Sequence, residues 1–257
     1  MVIGEGTIRL LTMSVYSAVL IPLILILVAK FKFKASIKVV LIGMLTFFVF
    51  SQLFVNIFHM IVFASEPMER FVHQTFIFVP YAAVTAALFA ELGRYVMFTY
   101  LLKKYRDWSN GLGFGIGFGS FEAVLILGFT SVSMVTAAVM INEGIYEDPL
   151  IISQLMEVSN SFIVFGVIER LFSITLHIAL SILIVYAIKT GLKKYLLYAI
   201  LAHSIFNIPG MLYQAEVLSS VIVVEAILAL FAVVAFMYIK KSRKIFVDTF
   251  GLADGNT

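Results

Sequence analysis

Charged residues fall in short clusters, and between them the chain is apolar for two dozen residues at a time. The runs cover about 7–29, 37–64, 74–102, 110–141, 161–188, 195–212 and 217–239. A helix needs roughly 20 residues to cross the hydrocarbon core of a bilayer, so this pattern predicts seven transmembrane helices. The expected fold is all-α: a polytopic membrane helix bundle forming one integral membrane domain over residues 1–257, with the polar in-span residues gathered between about 80 and 210. The first run is too long for a cleavable leader and is followed by the basic segment Lys30 to Lys38, so it reads as a span.

Composition agrees with that reading and narrows it. The chain of 257 residues is 62% hydrophobic and 13% charged, with a mean hydropathy of +1.07, where soluble domains are about half apolar and a quarter charged. A net charge of +3 is too small for a nucleic-acid binder, and the lack of cysteine excludes disulfides, thiolate metal sites and a cysteine nucleophile.

The position of the charges says more than their sum. Lys30, Lys32, Lys34 and Lys38, then Lys103, Lys104 and Arg106, then Lys189, Lys193 and Lys194, and finally Lys240, Lys241, Arg243 and Lys244 place fourteen of the 18 basic residues on one side of a seven-span chain. The intervening segments carry Glu66, Glu69, Glu143, Glu147, Asp148 and Glu216. By the positive-inside rule the N-terminus is expected outside and the C-terminus in the cytoplasm, with the protein multi-pass in the plasma membrane. The acidic segment 142–160 suggests an outer loop with a short interfacial helix. His59 and His73 read as surface residues beside the second outer loop, and the tail from Asp248 as a loose polar end.

Candidate chemistry lies in what remains inside the spans: Glu91, Arg94, Glu122, Glu169, Arg170 and Glu225, with His177, His203 and Asn207. Ionisable groups at bilayer depth cost several kcal/mol unless they are paired or face a polar cavity, so they point to function before structure. At about 1.5 Å per residue, Glu91, Glu122, His177, His203 and Asn207 lie roughly 14 to 20 Å from the basic end of four different helices. One mid-membrane site can therefore collect them. Glu91 and Arg94 are i,i+3 neighbours, His203 and Asn207 are i,i+4, and Arg170, Ser173 and His177 share a stripe. Glu169 and Arg170 lie nearer the outer surface, as a gate or support. Gly111, Gly113, Gly115, Gly117 and Gly119 have neither the strand nor the Lys-Ser/Thr of a phosphate loop, and suit close helix packing instead.

These motifs resemble the YhfC family of intramembrane metalloproteases, distant relatives of the CAAX prenyl protease and bacteriocin-processing group, over about residues 80–210. The family's Glu-Glu-x-x-Arg motif corresponds to Ala90-Glu91-Leu92-Gly93-Arg94. Its glycine-rich Phe-x-x-x-His and following Glu correspond to Phe114-Gly115-Ile116-Gly117-Phe118 and Glu122. Its Glu-Arg pair and later His correspond to Glu169-Arg170 and His177, and its final His-x-x-x-Asn to His203 and Asn207. Two positions depart: Ala90 replaces the first Glu and Phe118 the His, the pair held in the related prenyl proteases to activate water, while the last His and Asn stabilise the oxyanion.

The resemblance implies hydrolysis of a peptide bond in a peptide or membrane-protein substrate by a metal- or glutamate-activated water. In the residues present, Glu122, His177 and His203 supply a carboxylate and two imidazoles for Zn²⁺ with an open position. Glu91, a carboxylate held by Arg94, is then the expected general base, and Asn207 the oxyanion donor. Ala90 and Phe118 equally suit a catalytically silent membrane binding or immunity protein of the same fold. A third reading, a proton-coupled transporter, rests on the in-span Glu, His and Arg alone.

Overall fold

A computed structural model describes residues 2–72, 74–146 and 148–251. His73 and Glu147 lie outside the described residues. Among the described residues seven helices are long and apolar enough to cross a membrane: α1 (Glu5–Phe31), α2 (Ile37–Phe63), α4 (Phe76–Leu101), α5 (Trp108–Asn142), α7 (Asn160–Thr190), α8 (Lys194–Gln214) and α9 (Val221–Phe250). Two short helices, α3 (Glu66–Val72) and α6 (Pro149–Glu157), lie in the acidic connections. The first of these is absent from the sequence pattern, being only seven residues long. The second is a short helix where one was expected, started by the Asp148 side chain accepting from the Leu150 amide at 2.9 Å.

Helix ends follow capping chemistry. Asp107 accepts from the Asn110 amide at 2.8 Å to open α5, Ser159 accepts from the Phe162 amide at 3.2 Å to open α7, and Gly191 closes α7 at a φ of 72°. The final helix departs from expectation. It continues past Ile239 to Phe250, so Asp248 to Phe250 are helical and not loose, while residues 252–257 lie outside the described residues. Ser242 and Phe246 anchor the extension: Trp108 donates to Ser242 Oγ at 2.8 Å, and Phe246 is buried against Tyr186. Hydropathy ends at Lys240 because that test measures membrane depth, not helix length.

Helix α7 occupies the centre, with 61% of its most apolar stretch buried against at most 39% in any other span. The first half of α5 packs between α7 and α2. A Cβ on Gly115 would run into the α7 backbone at His177 and Ile178, and one on Gly117 into the Val40 carbonyl of α2. Gly111 and Gly119 repeat the first contact and Gly113 the second, so small residues face α7 at every fourth position and its other neighbour in between. This brings the backbone that carries Glu122 against the one that carries His177.

Beyond that level the packing changes. Helix α2 takes a π-helical turn pattern over Phe47–Phe54 and α5 over Val124–Gly128. The remaining half of α5, Phe129–Asn142, packs on α1 and α6. There Ile3 is held by two bonds to the Asn142 side chain, at 2.7 and 3.0 Å, in a small cluster with Ala138, Ile141 and Leu155.

Candidate functional site

Where the π-helical segments begin, the bundle encloses a cavity of about 460 Å³, within the usual range of roughly 300–1,000 Å³ for ligand sites. Its floor is polar. Glu122, His177, His203 and Asn207 line it, with Glu169 and Arg170 on the wall. Thus four of the five groups that helical arithmetic places at one depth face one space, and Glu91 is the exception.

Behind that floor runs a continuous chain of hydrogen bonds. Glu91 and Arg94, both fully buried, form an ion pair on α4. Arg94 also donates to His177 Nδ1 at 2.6 Å, and Glu91 accepts from His203 Nδ1 at 2.8 Å. On its far side His177 Nε2 bonds Glu122, whose other oxygen accepts from Arg170 at 2.7 Å and Ser173 at 2.9 Å. Arg170 further pairs with its neighbour Glu169. Four helices, α4, α5, α7 and α8, are tied together by side chains that would each be costly alone in hydrocarbon.

Partner chemistry fixes both imidazoles. A guanidinium only donates, so His177 Nδ1 is the acceptor and its proton sits on Nε2, given to Glu122. A carboxylate only accepts, so His203 Nδ1 carries a proton, and a ring with a single proton then has its lone pair at Nε2. The two rings lie 5.2 Å apart, edge to face. Asn207, one turn along from His203, lines the cavity while its amide reaches the Ala83 carbonyl at a long 3.4 Å.

Glu91 does not line the cavity; its neighbour Ala90 does. Phe118 lines it as well, holding its ring 4.1 Å from the Arg94 guanidinium and 4.8 Å from the His177 ring. The two departures from the family pattern therefore stand on the cavity wall. Glu225 is buried on α9, and its Oε2 has no hydrogen-bond partner among the described residues. His59 is half-buried and bonds Tyr81 at 2.7 Å, so it is not the free surface residue expected from its loop-side position.

Periodicity missed the crossing contacts of Arg94 and Arg170, each of which reaches a second helix. It also missed Ser51 and Gln52, which line the cavity from α2. Their signal was present as a polar pair within the aromatic run Phe47–Phe54.

The chain matches the family described as YhfC intramembrane metalloprotease over residues 17–228. It belongs to that family. A relative in Bacillus subtilis strain 168, described as uncharacterized membrane protein YhfC, is 36% identical over 257 residues, covering 95% of this chain and 99% of its own. No solved structure matches the chain. Family membership and seven apolar helices together make this YhfC-family chain a multi-pass membrane protein.

The family description implies a metal, and the expected ligand set was Glu122, His177 and His203. Among the described residues no three His, Asp or Glu side chains form a group able to hold a metal ion. The reason lies in how the donors are used. Both nitrogens of His177 are engaged, Glu122 already serves His177, Arg170 and Ser173, and His203 offers one lone pair. Two guanidinium groups contact this set directly, and they oppose a dication electrostatically. The residues as arranged do not fit zinc.

Proposed function

We propose that the chain is an intramembrane peptidase whose water is activated by His203, with Glu91 as the carboxylate that orients it. The observation that carries this reading is the 2.8 Å bond from His203 Nδ1 to Glu91, which leaves Nε2 as the basic nitrogen of a residue lining the cavity. In this reading Nε2 takes a proton from water as the water oxygen attacks a peptide carbonyl. Glu91 stabilises the imidazolium that forms, and His203 returns the proton to the leaving amine. In this reading Asn207, which lines the cavity one turn from His203, donates to the developing oxyanion. Arg94 neutralises Glu91 and steadies His177, which in turn holds Glu122 and the cavity wall.

The test is cleavage of a membrane-spanning synthetic peptide by the purified chain in liposomes. His203→Ala is expected to lower turnover by about 10²–10⁴-fold, the usual contribution of a general base, and Glu91→Gln to lower it less. Chelators leave turnover unchanged on this account. Cleavage that persists in His203→Ala, or that chelation abolishes and zinc restores, would overturn it.

A second reading is favoured by Ala90 and Phe118, which bring an alkyl group and a ring to the cavity wall where the family pattern has water-activating residues. In that reading the chain binds a peptide without cutting it. Stoichiometric peptide binding by a wild-type protein that yields no product, with turnover gained in the Ala90→Glu, Phe118→His double variant, would establish it over the first.

A further inference from the structure

The basic end of the bundle holds chemistry that the cavity does not use. There Trp108 opens α5 with only 8% of its surface exposed. Its indole N–H donates to Ser242 Oγ of α9 at 2.8 Å, and Phe33, just past the end of α1, meets its ring edge-on with centres 5.6 Å apart. Three distant parts of the chain thus build one aromatic floor. Two cations stand over it: the Arg243 guanidinium lies 5.7 Å from the centre of the Trp108 ring, and the Lys32 ammonium 5.7 Å from that of Phe33.

Neither cation has an acidic partner among the described residues. The carboxylate nearest to Trp108 in sequence, Asp107, is spent on the amide and the side chain of Asn110, at 2.8 and 2.5 Å. A guanidinium lying over a ring keeps its N–H edge free to donate, and an ammonium has three donors, so Arg243 and Lys32 together suit an anion with several acceptor oxygens. The positive-inside rule explains why basic residues collect at this end. It does not explain why α9 continues as a helix past Lys240 with Ser242 and Phe246 buried, which is what holds Arg243 over Trp108. On the apolar side of the same point, Phe31 beside Lys32 is 70% exposed. Phe236, two turns before Arg243 on the same face of α9, is 55% exposed, with Lys240 Nζ 5.6 Å from its ring centre.

We propose that Lys32 and Arg243, over the Phe33–Trp108 pair, form a binding site for the phosphate of an anionic phospholipid whose acyl chains lie along Phe31 and Phe236. Indole rings settle at headgroup depth, and basic groups gathered there between helices match anionic head groups. Phosphatidylcholine carries the same phosphate together with a quaternary ammonium that Lys32 and Arg243 repel, so phosphatidylglycerol is the lipid that fits. Because α1 and α9 both pack on the first half of α5, the bound lipid fastens the basic ends of three helices. The site is independent of the peptidase reading.

Trp108 is the single tryptophan of the chain, so its emission reports on this site alone. Full-length protein is reconstituted in phosphatidylcholine vesicles containing phosphatidylglycerol, with one of the two lipids brominated on the acyl carbons nearest the glycerol. At equal fractions of brominated lipid, phosphatidylglycerol is expected to quench Trp108 severalfold more than phosphatidylcholine. Lys32→Gln with Arg243→Gln should bring that ratio close to unity. Lys193→Gln with Lys194→Gln removes the same charge from the connection between α7 and α8 and should leave the ratio unchanged. An unshifted emission maximum shows that the Trp108 ring is still packed in each variant, and the wild-type ratio requires no variant at all.

Equal quenching of wild type by the two brominated lipids overturns the proposal. A preference that survives the Lys32, Arg243 pair of substitutions, or that falls as far with the Lys193, Lys194 pair, overturns it too, because the effect then belongs to net charge and not to the site. Loss of the preference on adding inorganic phosphate at constant ionic strength assigns the site to free phosphate and likewise overturns it.

Discussion

The two halves of α5 meet different neighbours in different ways. From Gly111 to Gly119 the helix lies against two backbones at distances only glycine permits, and the side chains between are buried. From Phe129 to Asn142 it keeps only Ser131, Ala138 and Ile141 buried and leans away from α2 and α4. The site stands where one regime gives way to the other, with Glu122 between them. Close packing fixes the hydrogen-bonded chain, and loose packing leaves room above it for a ligand. A bundle packed like its first half throughout would have no cavity, and one packed like its second half would not hold Glu122 and His177 in register.

That contrast can be broken most severely at its boundary. Arg94→Met leaves Glu91 buried without its cation, and a buried charge stripped of its partner costs about 3–5 kcal/mol. Unfolding in mixed micelles should show that loss, together with weakened retention of the α4–α7 contact in cysteine cross-linking. Gly117→Ala attacks the tight half. Its Cβ would press on the Val40 carbonyl, and overpacking of this kind costs about 1–3 kcal/mol.

Smaller changes sharpen the comparison. Trp108→Phe, at the basic end of the tight half, removes the bond to Ser242 and should cost about 1 kcal/mol by the same unfolding assay. Gly166→Ala, beside the cavity, has the opposite sign. Its Cβ meets nothing nearer than Leu127 Cδ1 at 3.7 Å, so the variant should gain about 0.5–1 kcal/mol from lower unfolded-chain entropy. Equal effects of Gly117→Ala and Gly166→Ala would remove the distinction between the two regimes.

Much of this organisation was legible beforehand. Span positions follow from hydropathy, because length and apolarity are local properties, and they shift by only a few residues except at the end of α9. The convergence of Glu91, Glu122, His177 and His203 followed from depth, which is likewise countable along each helix. Rotation about the helix axes was not countable. Spans apolar on nearly every face carry little periodic signal, so nothing in the sequence showed that Arg94 reaches His177, that Arg170 reaches Glu122, or that Ala90 and not Glu91 faces the cavity. Those pairings also spend the donors that the zinc expectation required. The π-helical segments were illegible for a similar reason, since they depend on how α2 and α5 part and not on composition.

The most direct test of the central claim is peptide hydrolysis in water enriched in heavy oxygen. A membrane-spanning synthetic peptide is reconstituted with wild type or with His203→Ala, and the products are read by mass spectrometry. Hydrolysis activated at His203 predicts wild-type fragments carrying one heavy oxygen at the new carboxyl terminus, and intact peptide with the variant. An intact peptide with wild type, or the same labelled fragments at equal rate with His203→Ala, would contradict it.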